Sequence, residues 1–236
     1  MQEDIMQEMS LSVVMPVFNE RETVQETIKS VLAVNIVKEL IIVDDGSVDG
    51  TRDILKALQG NSRIKVILHE KNQGKGAALK TGFAHVSGEI VVIQDADNEY
   101  DPQEFLELIK PINSGRADAV YGSRLTFAKP QRAYMFWHRV GNAVITLFAG
   151  VLYNTTLTDI ETCYKMVRAD ILKGMRINSK GFEVEPEITA KLLKMNLRIY
   201  EIPISYYGRS YSEGKKIRWY HFFGAIWTLL KYRFVK

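Results

Sequence analysis

Four short apolar runs, each ending in polar or acidic residues and most followed by a stretch of helical spacing, constrain this chain more than any other feature. They are residues 11–15 in LSVVMPVFNE, residues 40–43 in ELIIVDDGSVDGT, the run RIKVILHE, and the start of GEIVVIQDADNEYDP. Short runs without polar alternation read as strands buried on both faces. Strand and helix alternate through the first half, which implies a parallel sheet with right-handed crossovers. Ligands of such sheets bind beyond the carboxyl ends of the strands. The unusual residues stand there: Asn19 and Glu20, Asp44 and Asp45, residues 72–76, Asp95 to Glu99, and Arg124 after a short fifth strand, ADAVYGSR.

Locally, Asn19 and Glu22 read as a capping pair for a first helix reaching about Val34. Pro102 opens a helix at a favoured first-turn position. The second half is less regular. Residues 133–152 read as an apolar helix, CYKMVR as a strand, EVEPEITAKLLKM as a helix, RIYEIPISYY as an outer strand, and residues 217–232 as a final helix. No internal repeat or low-complexity linker is visible, so 236 residues with 46% hydrophobic content suit one large α/β domain with an appendage. The expected division is a tail over residues 1–10, a catalytic domain over 11–215 and a basic, aromatic helix over 216–236.

Charge is unevenly placed. The chain is net +3, but residues 208–236 hold seven Lys/Arg against Glu213 alone, so the rest is net −3. Residues 119–158 carry Arg124, Lys129, Arg132 and Arg139 and no acid. Two basic zones on a faintly acidic body point to an anionic partner. Cys163 is the one cysteine, so no intrachain disulfide forms and a reducing compartment fits. The polar, acidic first ten residues do not read as a secretory signal, and no apolar run reaches the length of a membrane span.

The acids at the fourth strand's end carry the chemistry. Side chains at i and i+2 of an extended segment point the same way, so Asp95, Asp97 and Glu99 are expected to share a face. Carboxylates this close repel, and burying them costs several kcal/mol each (roughly) unless a cation offsets them. Three oxygen donors suit a hard ion such as Mg2+ or Mn2+, and no Cys/His cluster suggests zinc. A solvated acidic loop before a helix cap would account for the D-x-D pattern alone. Asp44 is placed to accept hydrogen bonds from a base or a ribose, whereas Asp45 before Gly46 reads as a turn residue. The amides of residues 74–76 and Lys75 enter a helix and are placed to meet a phosphate, although G-x-G by itself is weak.

Together, VVMPVFNE, IIVDDGSVDGT, NQGKGAALKTGF and DADNEYDP, in this order, resemble the inverting family-2 glycosyltransferases of nucleotide-diphospho-sugar (GT-A, Rossmann-like) fold. YGSR, TDIETCYKMVR, GFEVEPEITAKLL and ISYYGRSYSEGKKI resemble, more narrowly, the polyprenyl-phosphate transferases of the dolichyl-phosphate mannose synthase type. The resemblance runs from about Ser12 to Ile217. It implies that Pro16, Phe18 and Glu20 line a base and ribose pocket with Asp44 against the base. Asp95 would stand by ribose and metal, and Asp97 would ligate the metal. Glu99 departs from the amide found in the mannose synthases and makes a mannose donor less certain. Arg124 and Arg139 would hold the acceptor phosphate and, with Asp95 and Asp97, make up the catalytic set. Arg209 and Lys215 would belong to a mobile loop over the phosphates. The implied reaction moves a hexose from a GDP-mannose or UDP-glucose type donor to a dolichyl or undecaprenyl phosphate. That acceptor is already ionised at neutral pH (second pKa roughly 6), so no general base is needed.

The C-terminal run KKIRWYHFFGAIWTLLKYRFVK suits a helix in the interface of an anionic bilayer, with residues 133–152, including Tyr134, Phe136 and Trp137, as a second. Packing on the sheet or on a partner is the alternative, and a polyprenyl acceptor tips the reading toward the membrane. The expected location is peripheral, on the cytoplasmic face of a membrane, with no nucleic-acid partner. Cys163 reads as a buried filler, and the histidines show no metal spacing. His138 beside Arg139 reads as structural rather than phosphate-binding. Glu183, Glu185 and Glu187 hold at least one helix-start carboxylate, and Asp159 and Glu161 in TDIET read equally as structural or site-ordering. The rival readings are a transferase to a sugar or other hydroxyl in polysaccharide synthesis, which wants a carboxylate base, a nucleotidyltransferase, which wants a basic Gly-rich loop after the first strand, and a non-catalytic membrane- or nucleotide-binding module, which leaves the acids unexplained.

Overall fold

The computed structural model describes residues 9–126, 128–133 and 135–235. Most of the expected N-terminal tail, and Tyr134, lie outside them. The chain runs β1 (Leu11–Val17), α1 (Val24–Leu32), β2 (Val37–Asp44), α2 (Thr51–Ala57), β3 (Ile64–Leu68), α3 (Lys75–Phe83) and β4 (Ile90–Ile93). A 3-10 turn at Pro102–Glu104 leads into α4 (Phe105–Leu108) and α5 (Lys110–Asn113). Then come β5 (Ala119–Ser123), α6 (Phe136–Tyr153), β6 (Lys165–Arg168), α7 (Ala169–Gly174), α8 (Val184–Lys194), β7 (Ile199–Pro203) and α9 (His221–Phe234).

These strands form one sheet in the order β3-β2-β1-β4-β6-β5-β7. The central runs are fully buried, from Leu11 to Met15 and from Leu40 to Val43, as unbroken apolar strands require. Register sets the site. Val17 aligns with Asp44 and Val14 with Ile93, so the segments after β1, β2 and β4 emerge at one edge. The buried Gln94 is satisfied there, accepting from Tyr164 Oη at 2.7 Å and donating to Asp95 O at 2.9 Å.

The sheet is mostly parallel, as expected, and one further expectation needs correction. Strand β6 is the exception to the parallel order, running antiparallel to both β4 and β5. The start of β6 therefore lies at the carboxyl end of β4, and residues 158–163 are delivered to the site edge. The first helix begins at Val24 with Thr23 at its N-cap, not at Asn19. Asn19 adopts a left-handed backbone (φ 51°) and accepts from Val48 N at 2.9 Å. Its short amide makes that conformation affordable, and the hydrogen bond ties the β1 and β2 loops together.

Helices α6, α8 and α9 share a small second core around Ile145, Ala149, Ala190 and Leu229. Beyond it, Phe136, Trp137, Leu147 and Val151 on α6 and Phe223, Trp227 and Phe234 on α9 remain exposed. Among the described residues no helix is long and apolar enough to cross a membrane.

Candidate active site

Asp95, Asp97 and Glu99 stand at the β4 edge, Asp95 held by Lys75 and the other two by the segment that carries Arg209. Asp95 is 2.8 Å from Lys75 Nζ. Asp97 is 3.1 Å from an Arg209 nitrogen. Glu99 accepts from Tyr206 Oη at 2.6 Å and from the Arg209 backbone N at 2.6 Å, with Lys215 Nζ 3.6 Å away. Among the described residues no three His, Cys, Asp or Glu side chains are grouped to hold a metal ion. The expected set of Asp95, Asp97 and Glu99 is therefore not assembled: Glu99 turns to the segment after β7, because that segment supplies the donors that satisfy it.

Electrostatics separates the two aspartates. Burial raises the Asp97 carboxyl, the charges of Glu99 and Asp95 raise it further, and despite Arg209 it is pushed up to about 7. Burial acts most strongly on Asp95, against its ionised form, but the Lys75 ammonium together with hydrogen bonds from Lys75 and Cys163 holds that carboxyl below the usual range. Asp97 thus sits in an excess of negative charge that the neighbouring protein cations do not cancel.

Lys75 and the Gly-rich turn, expected to meet a phosphate, are engaged within the protein here. Lys75 Nζ bridges Asp95 and Glu185, 3.0 Å from the latter, and Glu185 also takes Lys165 at 2.6 Å. The first amides of α3 are already used. Gly76 N and Ala77 N donate to Lys180 O at 2.7 and 3.2 Å, and Gly74 N donates to Asp45 at 2.7 Å. A Cβ at Gly74 or Gly76 would collide with the carbonyls of Lys180 or Ser179, which is why glycine stands at both positions. Asp45, expected to be a turn residue, is the organiser here: it also accepts from Gln73 N and pairs with His69 at 2.7 Å. Asp44 is fully buried and pairs with Arg52 at 2.7 Å.

Arg124 is fixed from behind. Asp159 accepts from its Nε at 2.7 Å, its second guanidinium nitrogen at 2.8 Å and its backbone N at 3.1 Å. Burial, the largest influence, would lower the guanidinium, but Asp159 and the other groups around it together hold it charged. Asn142 on α6 donates to Asp159 at 3.0 Å, and Glu201 holds the Thr158–Asp159 turn at 2.9–3.1 Å. The guanidinium lies 5.1 Å from the Tyr206 ring, whose hydroxyl holds Glu99. Arg139 on α6 donates to Leu125 O at 3.3 Å, which places it beside Arg124. His138 meets Tyr211 Oη at 2.6 Å. Asp159 was half visible in the sequence; its fixing of Arg124 needed the antiparallel β6.

Glu20, Phe18 and Pro16 line the start of the same edge. Glu20 accepts from two Arg209 nitrogens at 3.0 and 3.2 Å and from Lys216 Nζ at 2.5 Å. Lys216 also reaches the Phe18 and Asn19 carbonyls and lies 5.9 Å from the Phe18 ring. Pro16 is half-buried in β1. Glu161 stands apart: one of its oxygens is buried with no hydrogen-bond partner. Burial, opposed by Lys165 and aided by Glu185, pushes its carboxyl up to about 7. Cys163 is buried, as expected of a filler.

A mostly parallel sheet thus presents acids, a fixed arginine and a cation-bearing loop at one carboxyl edge. Residues 12–176 match the family model described as glycosyl transferase family 2, and the chain belongs to that family. It is 27% identical over 233 residues to a dolichol-phosphate mannosyltransferase of Pyrococcus furiosus, covering 95% of this chain and 64% of the relative. It is also 27% identical to an undecaprenyl-phosphate 4-deoxy-4-formamido-L-arabinose transferase of Edwardsiella ictaluri, covering 86% of this chain and 62% of the relative. The chain thus spans under two thirds of the length of each. In fold it is similar to glucosyl-3-phosphoglycerate synthase of Mycobacterium tuberculosis, solved with Mn2+, UDP and phosphoglyceric acid: TM-score 0.73 at 23% identity, over 97% of this chain and 80% of that one.

Proposed function

We propose that this chain transfers a hexose from a nucleotide sugar to the phosphate of a polyprenyl lipid, with inversion, at the cytoplasmic surface of a membrane. The observation that carries the reading is Arg124: a guanidinium fixed by two hydrogen bonds to one buried acid, which also takes the Arg124 backbone N–H, beside an acid-rich strand edge. The reaction must bring two anions together, a diphosphate donor and a phosphate acceptor. A preoriented guanidinium is the group that matches a phosphate, and placing both reactants is most of the work. The names of the two curated relatives, both transferases of polyprenyl phosphates, support the acceptor class.

The site fits a divalent cation, Mg2+ or Mn2+. Its donors are carboxylate oxygens, which suit a hard ion, and Asp97 is surrounded by more negative than positive charge. The Arg209 guanidinium stands in for a cation there. Asp95 and Asp97 would hold the ion, which when bound neutralises the leaving diphosphate. Glu20, Phe18 and Pro16 would face the nucleoside, while Arg124 and Arg139 hold and orient the acceptor phosphate. The ionised acceptor needs no base.

The exposed aromatic residues of α6 and α9, with Arg218, Lys231 and Arg233 nearby in sequence, support docking on an anionic bilayer. A second reading, transfer to a hydroxyl acceptor, draws on Glu161, a carboxyl with an unpartnered oxygen that would serve as general base near pH 7.

The test is a donor panel, GDP-mannose and UDP-glucose first, offered with a polyprenyl phosphate or with sugar alcohols, with Mn2+, Mg2+ or EDTA. Metal-dependent label in an organic-extractable product is expected. Label only in water-soluble product, lost in Glu161→Gln, would replace the first reading with the second.

A further inference from the structure

The donor site of this chain is covered by the chain itself. Residues 206–218, between β7 and α9, lie across the acid edge as a strap with a cation at each donor subsite. Arg209 binds Glu20 and Asp97 together, at 3.0–3.2 Å. Lys216 closes on Glu20 and on the backbone oxygens of Phe18 and Asn19. Lys215 stands 3.6 Å from Glu99. Thus the guanidinium uses an oxygen of Asp97, the acid assigned to the metal, and the ammonium occupies the place assigned to the nucleoside.

The strap is also tethered from outside. Glu213 pairs with Arg132 at 2.8 Å, and Arg132 reaches Gly208 O at 3.0 Å. Tyr211 meets His138 on α6 at 2.6 Å. A capping box between Ser210 and Glu213 keeps the middle of the strap folded. The outer tether belongs to the basic zone that leads into α6, where the acceptor is to be held.

A carboxylate oxygen cannot bind a divalent ion at coordination distance and a guanidinium hydrogen bond in the same direction, and two cations so close repel. From this the geometry points to a self-inhibiting strap: Arg209 and Lys216 occupy the metal and nucleoside subsites of the empty enzyme, and a metal–donor complex binds only by expelling them. The inference rests on the donor-site reading above and adds its regulation. Expulsion frees Arg209 beside the diphosphate that displaced it, so the same residue blocks the empty site and contacts the filled one. Closure lowers apparent affinity by the fraction of molecules that are open. It also offsets part of the acids' negative charge when no donor is present.

The test is Mn2+ binding to the full chain, followed by electron paramagnetic resonance, with Mn2+ alone and with UDP or GDP. Wild type should take up Mn2+ weakly alone and more tightly with the matching nucleotide. Arg209→Ala, which removes the inner cation, and Glu213→Gln, which loosens only the tether, should both tighten uptake of Mn2+ alone, by about tenfold and a few-fold respectively. If wild type binds Mn2+ with nucleotide while neither variant gains affinity for Mn2+ alone, the strap is overturned and the donor-site reading stands. If no form binds Mn2+ under any condition, both fall.

Discussion

Arg124 and Arg209 are equally buried, with side chains 14% and 15% exposed, yet they are held in different ways. Arg124 has one acid, Asp159, which is fully buried and further held by Asn142. Arg209 divides its guanidinium between Glu20 and Asp97 and comes from a loop rather than from the end of a strand. Among the described residues Asp159 forms an ion pair with Arg124 alone, so removing that arginine would leave the buried acid uncompensated. Glu20 and Asp97 face the place where a metal–diphosphate complex would bring a replacement charge. Equal burial therefore does not mean equal permanence; what matters is whether the partner acid can be satisfied by something else. The first arginine is built as an anchor and the second as an exchangeable plug.

Substitutions can break this contrast. The largest effect is expected at the acid the plug protects. Asp97→Asn should lower transfer by on the order of a thousandfold while the melting temperature holds or rises, because a repelled charge has gone; wild-type turnover would remove Asp97 from the site. Next comes Asp159→Asn, which leaves Arg124 buried without its acid. It should cost about 3–5 kcal/mol of stability and weaken use of the acceptor phosphate far more than nucleotide binding by calorimetry. Equal losses of donor and acceptor binding would erase the anchor's assignment.

A subtler effect concerns Glu161, a buried acid with one oxygen that has no hydrogen-bond partner. Its folded carboxyl titrates at about 7 against an ordinary 4.5, so the folded state holds the proton more tightly. That contribution is fully present below 4.5 and is lost as pH rises through about 7. Thermal melts of Glu161→Gln should lack this part of the decline with pH; an unchanged slope would show that Glu161 is ionised in the fold.

The smallest effect belongs to a third arginine, Arg198, paired with Asp118 at 2.8 Å but 55% exposed. Its hydrogen bonds hold the Asp118 carboxyl at about 2. The stability this gives is present above the unfolded value near 3.8 and lost as pH falls through about 2. Asp118→Asn should shift the melt slightly at low salt and less at high salt. A shift as large as that of Asp159→Asn would mean exposure does not rank these pairs.

The sequence by itself determined the strands, the alternation with helices, the acids at the strand ends and the basic bias from Ala119 onward. Each follows from local rules: unbroken apolar runs bury on both faces, and side-chain alternation places i and i+2 together. Tertiary structure decided which charges meet. Nothing in a four-residue strand states its direction, so the reversal of β6 that brings Asp159 to Arg124 was not legible. Nor was the pairing of Arg209 with Glu20, 189 residues apart, or the use of the α3 amides by Lys180 rather than by a phosphate. Carboxylates and guanidinium groups pair with whatever complementary charge the fold brings within about 3 Å, and that proximity is a property of the packed sheet and its loops, not of any stretch of chain.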